Sequence, residues 1–157
     1  MQFNVYSPIS GNIVDIRSLT DQMFSDEVIG PSIAIRKHRL SEYIYSPIVG
    51  RDIAIYPTGH AVVIEHESGL EILIHIGIDT YKKEGLFEKL VNNHEIVNEF
   101  DRLLRINPII QDSSSDLIIV TVVKKEGFVV QKLDHKSVVA KKSVLMRIDT
   151  GVNDCIK

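Results

Sequence analysis

The sequence predicts an all-β fold, an antiparallel β-sandwich or barrel with one or two short helices. Short runs rich in isoleucine and valine recur and are separated by Gly, Pro, Ser and Asp, a pattern typical of strands joined by turns. Helical periodicity is scarce, and many short strands with few helices are expected to form a sandwich or a barrel. The predicted strands are residues 3–6, 12–16, 32–36, 43–46, 51–56, 60–66, 70–76, 103–106, 117–123, 128–131 and 144–148.

Two segments have the pattern of a short helix. Residues 21–28 follow Thr20 and Asp21, and either side chain can cap a helix N-terminus. Residues 85–91, with the sequence Gly-Leu-Phe-Glu-Lys-Leu-Val, predict a second short helix. No linker-like stretch divides the chain, so we predict one domain over residues 1–157.

An internal repeat indicates that the fold has two related halves. The segment Val5-Tyr-Ser-Pro-Ile-Ser-Gly11 recurs as Ile44-Tyr-Ser-Pro-Ile-Val-Gly50, with five of the seven residues identical. The proline fixes the backbone at a strand boundary, and the glycine permits a tight turn after it. Two such halves predict a sandwich built from a repeated hairpin motif.

The composition excludes several classes of protein. The net charge is −3 and no basic patch stands out, which argues against nucleic-acid binding. The one cysteine, Cys155, excludes a disulfide framework and favours a reducing compartment. Neither a signal peptide nor an apolar run of about 18 residues is present. We therefore expect a cytoplasmic protein that does not insert into membranes.

Residues 60–77 form the most informative segment and predict a β-hairpin with its turn at Glu67-Ser68. In that register His60 lies directly opposite His75 on one face, with Cβ atoms about 4.5–5.5 Å apart. A slip of one residue, which a bulge at Gly69 would produce, would separate the two histidines. The predicted core face is Ala61, Val63, Leu70, Ile72, Ile74 and Ile76, and the predicted histidine face includes Val62, Ile64 and Leu73.

Two facing imidazoles are suited to phosphoryl transfer. A neutral imidazole nitrogen can attack phosphorus, and the second ring can hydrogen-bond the transferred oxygens. Thr58 can fix the tautomer of His60, and a backbone carbonyl near Gly77 can do the same for His75. Gly77 also leaves space beside the His75 ring for a large anion. We expect the other histidines to be surface residues: His38, His66, His94 and His135.

Other interpretations of the histidine pair remain open at this point. A single histidine in a strand is usually a packing or surface residue. Alternatively, the two imidazoles together with Glu65, Glu71 or Asp79 can hold a zinc ion, because zinc in proteins is bound by nitrogen and carboxylate ligands.

Several motifs together resemble the glucose-family IIA components of the bacterial phosphoenolpyruvate-dependent sugar phosphotransferase system. Residues 73–80, Leu-Ile-His-Ile-Gly-Ile-Asp-Thr, resemble the phosphorylation-site signature of that family. Residues 57–61 resemble its second histidine motif, and residues 6–11 and 45–50 resemble its paired strand starts. Residues 30–35 fall where the family has a glycine-rich stretch. The match extends from about residue 5 to about residue 148.

The resemblance implies a β-sandwich of duplicated hybrid motifs and a phosphotransferase function. It implies that His75 accepts a phosphoryl group from phosphohistidine on the carrier HPr and passes it to a cysteine on the IIB domain of a sugar permease. His60 would assist without being phosphorylated, and Thr58 would orient His60. The resemblance implies no metal and no organic cofactor.

The resemblance also implies a docking surface for the two partners. Asp79, Gly77 and Val62 are the expected partner contacts. Pro31 stands where the family has an aspartate that receives an arginine of HPr, so we expect slow phosphorylation by a generic HPr.

Two rival functions follow from the same site. The first is a regulatory binding module that is controlled by phosphorylation at His75. The second is a domain of the zinc-peptidase kind, which needs a His-x-His pair where this chain has His75 and Gly77.

Overall fold

The computed structural model describes residues 1–77 and 79–151, so Cys155 lies outside the described residues. Strands dominate this part of the chain, and one short helix, α1 (Gln22–Ser25), follows the second strand. Short 3-10 turns lie at Ile16–Ser18, Thr80–Lys82 and Ser113–Ser115. The strands are β1 (Gln2–Tyr6), β2 (Gly11–Val14), β3 (Ser32–Lys37), β4 (Tyr43–Tyr45), β5 (Asp52–Ile55), β6 (Ala61–Glu65), β7 (Glu71–Ile76), β8 (Phe87–Lys89), β9 (Arg102–Ile106), β10 (Leu117–Val122), β11 (Val129–Lys132), β12 (Ser137–Val138) and β13 (Val144–Asp149).

The strands form one large antiparallel sheet and two small ones. The large sheet has the order β12-β2-β3-β10-β7-β6-β5, and the small sheets have the orders β1-β13-β11 and β4-β9-β8. Inward side chains of all three sheets belong to one hydrophobic cluster. Burial of each large aliphatic side chain there stabilises the fold by roughly 1.5–3 kcal/mol. The predicted all-β sandwich is confirmed, and no helix of the described chain is long and apolar enough to cross a bilayer.

The predicted strands all appear, but only one of the two predicted helices does. Helix α1 begins after Asp21, whose carboxylate accepts a hydrogen bond from the Met23 amide at 2.9 Å. The predicted helix over residues 85–91 is wrong, because β8 lies there and pairs with β9. Leu86 is fully buried whereas Leu90 is 37% exposed, so the two leucines do not share the single buried face that a helix would give them.

The internal repeat forms two matching corners that bond to each other. The Tyr6 amide donates to the Pro47 carbonyl at 3.0 Å, and the Tyr45 amide donates to the Pro8 carbonyl at 3.0 Å. In each corner a buried serine hydroxyl donates to the carbonyl two residues further on: Ser7 to Ile9 at 2.6 Å and Ser46 to Ile48 at 2.7 Å. The repeat therefore produces two equivalent corners of the sandwich.

The register of the β6–β7 hairpin differs by one residue from the predicted one. Ala61, not His60, lies opposite His75. The reason is the turn, because Gly69 has a φ of +88° and adds a third residue to the loop. The amide of Gly69 donates to the His66 carbonyl, and the amide of His66 donates to the Leu70 carbonyl, both at 2.8 Å.

The changed register reverses the two faces of β6. Val62 and Ile64 are fully buried in the core and pair with Ile74 and Ile72. The predicted role of Val62 as a partner contact is therefore wrong, because its side chain is enclosed by the sandwich. The β7 residues Ile72, Ile74 and Ile76 do lie in the core as predicted.

His66 is not the surface residue that we expected. It is only 8% exposed, and its ring stacks on Phe3 of β1 with centroids 3.9 Å apart. Its Nδ1 atom meets the Ser68 hydroxyl at 2.9 Å and accepts from the Ser68 amide at 3.1 Å. The three-residue turn brings these polar groups together, so His66 is a packing residue.

Candidate functional site

His75 projects from the outer face of the large sheet, near its centre. Strand β7 alternates, so the flanking Ile74 and Ile76 enter the core while His75 points away from it. Strands β6 and β10 flank β7, and His75 pairs with Ala61 on β6 and with Ile119 on β10. Helix α1 covers one side of the imidazole, because the Phe24 ring packs against it with centroids 5.1 Å apart.

The two nitrogens of the His75 ring have different surroundings. Nδ1 is buried, and within residues 1–77 and 79–151 it has no hydrogen-bond partner. The predicted bond to a carbonyl near Gly77 is therefore not observed. Because Nδ1 is enclosed, chemistry with a group entering from outside has to occur at Nε2.

His60 lies beside His75 even though the predicted pairing is wrong. His60 is in the bend just before β6, where strand alternation does not fix the direction of its side chain. Its carbonyl accepts from the Ile76 amide at 2.8 Å, which holds the bend against the end of β7. The two imidazole centroids are 5.6 Å apart, and the ring planes are inclined by 82°. The predicted convergence of the two rings is confirmed.

Thr58 holds the His60 ring from the other side. The Thr58 hydroxyl and the Nδ1 atom of His60 are 2.5 Å apart. The chain turns tightly between them, with Gly59 at a φ of +80° and its amide bonded to the Tyr56 carbonyl at 2.7 Å. The Tyr56 ring meets the His60 ring edge to face at 5.4 Å. Since Nδ1 is engaged by Thr58, His60 can meet a phosphoryl group only through Nε2.

Gly77 is required by the packing of the chain just after His75. Its φ is +77°, and its amide donates to the Leu117 carbonyl at 2.6 Å. A Cβ at this position would lie 2.3 Å from the Thr80 methyl carbon and 2.6 Å from the Ser114 carbonyl oxygen. Gly77 is buried although it borders the cleft beside His75, so the structure gives it a packing role.

A cleft of about 180 Å³ opens beside His75. It has room for a phosphoryl group, and its lining combines apolar residues with two exposed acidic residues, Asp21 and Asp79. The sequence identified Asp21 only as a helix cap, and nothing local in it showed that α1 folds over His75. The lining residues are Leu19, Thr20, Asp21, Phe24, His75, Gly77, Asp79, Leu117 and Ile119.

Comparison with known proteins identifies the family. A sequence profile of the phosphoenolpyruvate-dependent sugar phosphotransferase system, EIIA 1, matches residues 3–149. The chain belongs to this EIIA family. The structure is also similar to glucose permease IIA from Mycoplasma capricolum, with a TM-score of 0.80 and 25% identity over 94% of this chain and 96% of that one.

Curated members of the EIIA family support the same assignment. The glucose-specific EIIA components of Staphylococcus aureus strains COL and N315 are each 36% identical to this chain over 104 residues. That match covers 66% of this chain and 61% of each relative.

The electrostatics keep both histidines of this EIIA chain uncharged near neutral pH. Burial lowers the pKa of His75, the neighbouring His60 lowers it further, and Asp21 partly opposes both effects. Burial also lowers the pKa of His60. Since the ordinary value is about 6.5, both rings are neutral at pH 7, and a neutral ring has a lone pair for attack on phosphorus.

The zinc alternative is not supported by the arrangement of possible ligands. Glu65 and Glu71 pair with each other at the turn end of the hairpin, whereas Ala61 and His75 pair at the other end. Glu65 is also engaged by the Arg51 guanidinium at 2.5 Å. Nowhere in the described ranges do three or more His, Cys, Asp or Glu side chains come together as a metal site.

Proposed function

We propose that this EIIA chain is a phosphocarrier that accepts a phosphoryl group from phospho-HPr on Nε2 of His75 and passes it to the cysteine of a IIB domain. The observation that carries the proposal is the pair of imidazole rings, 5.6 Å apart, beside a cleft with room for a phosphoryl group. Family membership supports the same reaction. The names of the Staphylococcus aureus relatives make glucose the first sugar to test.

In the first step the lone pair of His75 Nε2 forms a new P–N bond while the P–N bond of the donor phosphohistidine breaks. The donor ring carries a hydrogen on its other nitrogen, so it leaves with that electron pair as a neutral imidazole. In the second step the thiolate sulfur of the IIB domain attacks phosphorus, and the bonding pair returns to His75. His75 starts and ends with its hydrogen on Nδ1, so neither step requires a net proton transfer.

His60 assists both steps without being phosphorylated. Its Nε2 can donate a hydrogen bond to a phosphoryl oxygen, which stabilises the charge that develops during transfer. Thr58 supports this role, because a contact at Nδ1 restricts the direction and the tautomer of the ring. Asp79 is exposed at the rim of the cleft and is the proposed contact for a basic side chain of a partner.

A transfer to a free thiolate fits a cytoplasmic location, where thiols stay reduced. We also retain one EIIA domain over residues 1–157 as a prediction.

The test is reconstitution with phosphoenolpyruvate, enzyme I and HPr. Intact-mass spectrometry is expected to show one added phosphoryl group, which mild acid removes and which His75→Ala lacks. Adding a purified glucose IIB domain is expected to remove the group from His75. A wild-type chain that acquires no phosphoryl group, or a His75→Ala chain that acquires one, would overturn the proposal.

A further inference from the structure

The chain that follows His75 is packed against a second loop from a distant part of the sequence. We call Gly77 with residues 79–83 the site loop, because it borders the cleft, and we call residues 112–116 the support turn. The Gly77 amide donates to the Leu117 carbonyl at 2.6 Å, directly after the support turn. The Ser114 carbonyl lies where a side chain at Gly77 would otherwise be. The position of Gly77 therefore depends on the support turn.

Lys83, at the end of the site loop, joins it to the support turn. Its ammonium group donates to the Asp112 carboxylate and to the Ser114 hydroxyl, the latter at 2.8 Å. The Lys83 side chain is 27% exposed and the Asp112 side chain is 56% exposed, so only the lysine side of this ion pair is partly shielded from water. The site loop is thus held at both ends, by Gly77 at its start and by Lys83 at its finish.

Asp112 also builds the support turn itself. Its Oδ1 atom accepts from the amide of Ser114 at 2.9 Å and from its hydroxyl at 2.5 Å. The Ser115 hydroxyl accepts in return from the Asp112 amide at 3.1 Å, which completes a capping box. The bonds with Lys83 and Ser114 lower the pKa of Asp112 to about 2, so its carboxylate stays ionised at neutral pH.

The far side of the support turn is fixed by a buried lysine at the end of β3. The Lys37 side chain has no exposed surface, and its ammonium lies 3.9 Å from the Asp116 carboxylate. It also donates to the Gln111 side chain at 2.8 Å and to the Ser41 carbonyl at 3.0 Å. The support turn is therefore anchored to the large sheet, and Lys83 links the site loop to this anchored element.

We propose that Lys83 and Asp112 are positioning residues for phosphoryl transfer, which hold Gly77 and Asp79 in place beside His75. This inference rests on the proposed function of the chain. Neither residue lines the cleft or contacts an imidazole, so both act through the site loop. The Lys83–Asp112 pair joins the site loop to the support turn, and Gly77 is packed between Thr80 of the site loop and Ser114 of the support turn. This placement distinguishes the pair from an ordinary surface ion pair.

The first test compares Lys83→Met, Lys83→Arg and Lys136→Met in phosphorylation assays with increasing phospho-HPr. Lys136 is an exposed lysine beside β12, at the far edge of the large sheet, so its substitution is the control for the change in charge. Lys83→Met is expected to lower kcat about tenfold and also to raise KM, because Asp79 is the proposed partner contact. The tenfold loss in kcat is below the roughly hundredfold loss that a 1 Å misplacement can cause. Lys83→Arg is expected to restore most of the rate.

The second test does not depend on phosphoryl transfer. In the unphosphorylated chain, nuclear magnetic resonance is expected to show faster amide hydrogen exchange at Gly77 and an altered pH titration of the His75 ring in Lys83→Met, but not in Lys136→Met. If wild type accepts no phosphoryl group, the proposed function fails and this measurement still decides the positioning role. Identical exchange and titration in the two variants would overturn the positioning role, as would equal kcat values in the assay.

Discussion

His66 and His75 stand at opposite ends of the same hairpin, and the surroundings of their rings differ. Burial lowers the pKa of both rings. The Nδ1 atom of His66 forms hydrogen bonds with the hydroxyl and the backbone amide of Ser68, and the His66 ring stacks on the Phe3 ring. The Nδ1 atom of His75 is buried without such a bond in the described chain.

The difference separates a structural histidine from a reactive one. A buried polar atom without a partner costs roughly 1–3 kcal/mol and is rare in native proteins. The fold tolerates that cost at His75, whose ring lies beside a cleft and a second imidazole. At His66 the contacts with Phe3 and Ser68 contribute to stability.

Replacing each of these two histidines by alanine, in separate variants, gives the largest expected effects. His75→Ala is expected to abolish phosphoryl acceptance, because it removes the nucleophile. His66→Ala is expected to leave acceptance intact and to lower the free energy of unfolding by about 1–3 kcal/mol, since it loses the stack and the hydrogen bonds. Mass spectrometry after reconstitution and urea unfolding would measure the two effects. Loss of acceptance in His66→Ala would remove the distinction.

The packing beside His75 is tested by Gly77→Ala. The new methyl group would meet the Ser114 carbonyl and the Thr80 side chain, so we expect a loss of about 2–3 kcal/mol in unfolding free energy and more than a tenfold slower transfer. Gly127→Ala is the matched control, because Gly127 also has a positive φ but nothing lies near its missing Cβ. The control isolates the backbone cost of about 1–2 kcal/mol. Equal destabilisation of the two variants would show that the contact with Ser114 contributes nothing.

The support of His60 is tested by Thr58→Val. This change keeps the shape of the side chain and removes the hydroxyl that contacts Nδ1. We expect about a tenfold slower transfer, less than the loss of 10²–10³ on removing a transition-state hydrogen-bond donor itself. Thr58→Ser keeps the hydroxyl and is expected to retain most of the rate in rapid-quench assays. A Thr58→Val rate equal to wild type would exclude an orienting role.

The pH dependence of stability sharpens the comparison further. His60, His66 and His75 all have pKa values below the ordinary one. The unfolded chain therefore binds more protons around pH 6, so the unfolding free energy is expected to fall as pH drops below about 6.5. His66→Phe is expected to reduce that slope while keeping the stack on Phe3. Urea titrations between pH 5 and 8 would measure it, and an unchanged slope would mean that His66 makes no contribution.

The smallest expected effect concerns a position outside the hairpin. Pro31 precedes β3, three residues from Ala34. Ile119 of β10 pairs with Ala34 on one side and with His75 on the other, so Ala34 and His75 lie two strands apart. Pro31 is therefore about 10 Å from Ala34 along the strand, and two strand spacings of about 5 Å each separate Ala34 from His75 across the sheet. Pro31→Asp is expected to speed phosphorylation by HPr about two- to threefold, because rim charges act mainly on the association rate. Stopped-flow traces at low and high salt would show it, and no change at low salt would contradict it.

Much of the fold could be predicted because its signals are local. The strands are short aliphatic runs bounded by turn residues, and the repeat around Pro8 and Pro47 predicted two related halves, which appear as two equivalent corners. The helix predicted over residues 85–91 is wrong, because Leu86 on one side of β8 is buried whereas Leu90 on the other side is 37% exposed. Pairing with β9, which is distant in sequence, decided between the two structures.

For the site, the sequence by itself determined the residue types and the contact between Thr58 and His60, because these two residues are only two positions apart in the chain. Only the tertiary structure decided which face of β6 is buried, since one extra loop residue at Gly69 reverses every side chain of that strand. It also decided which residues surround His75. The α1 cover and the Lys83–Asp112 pair join segments far apart along the chain, and such contacts follow from how the sheets pack, not from any local pattern of residues.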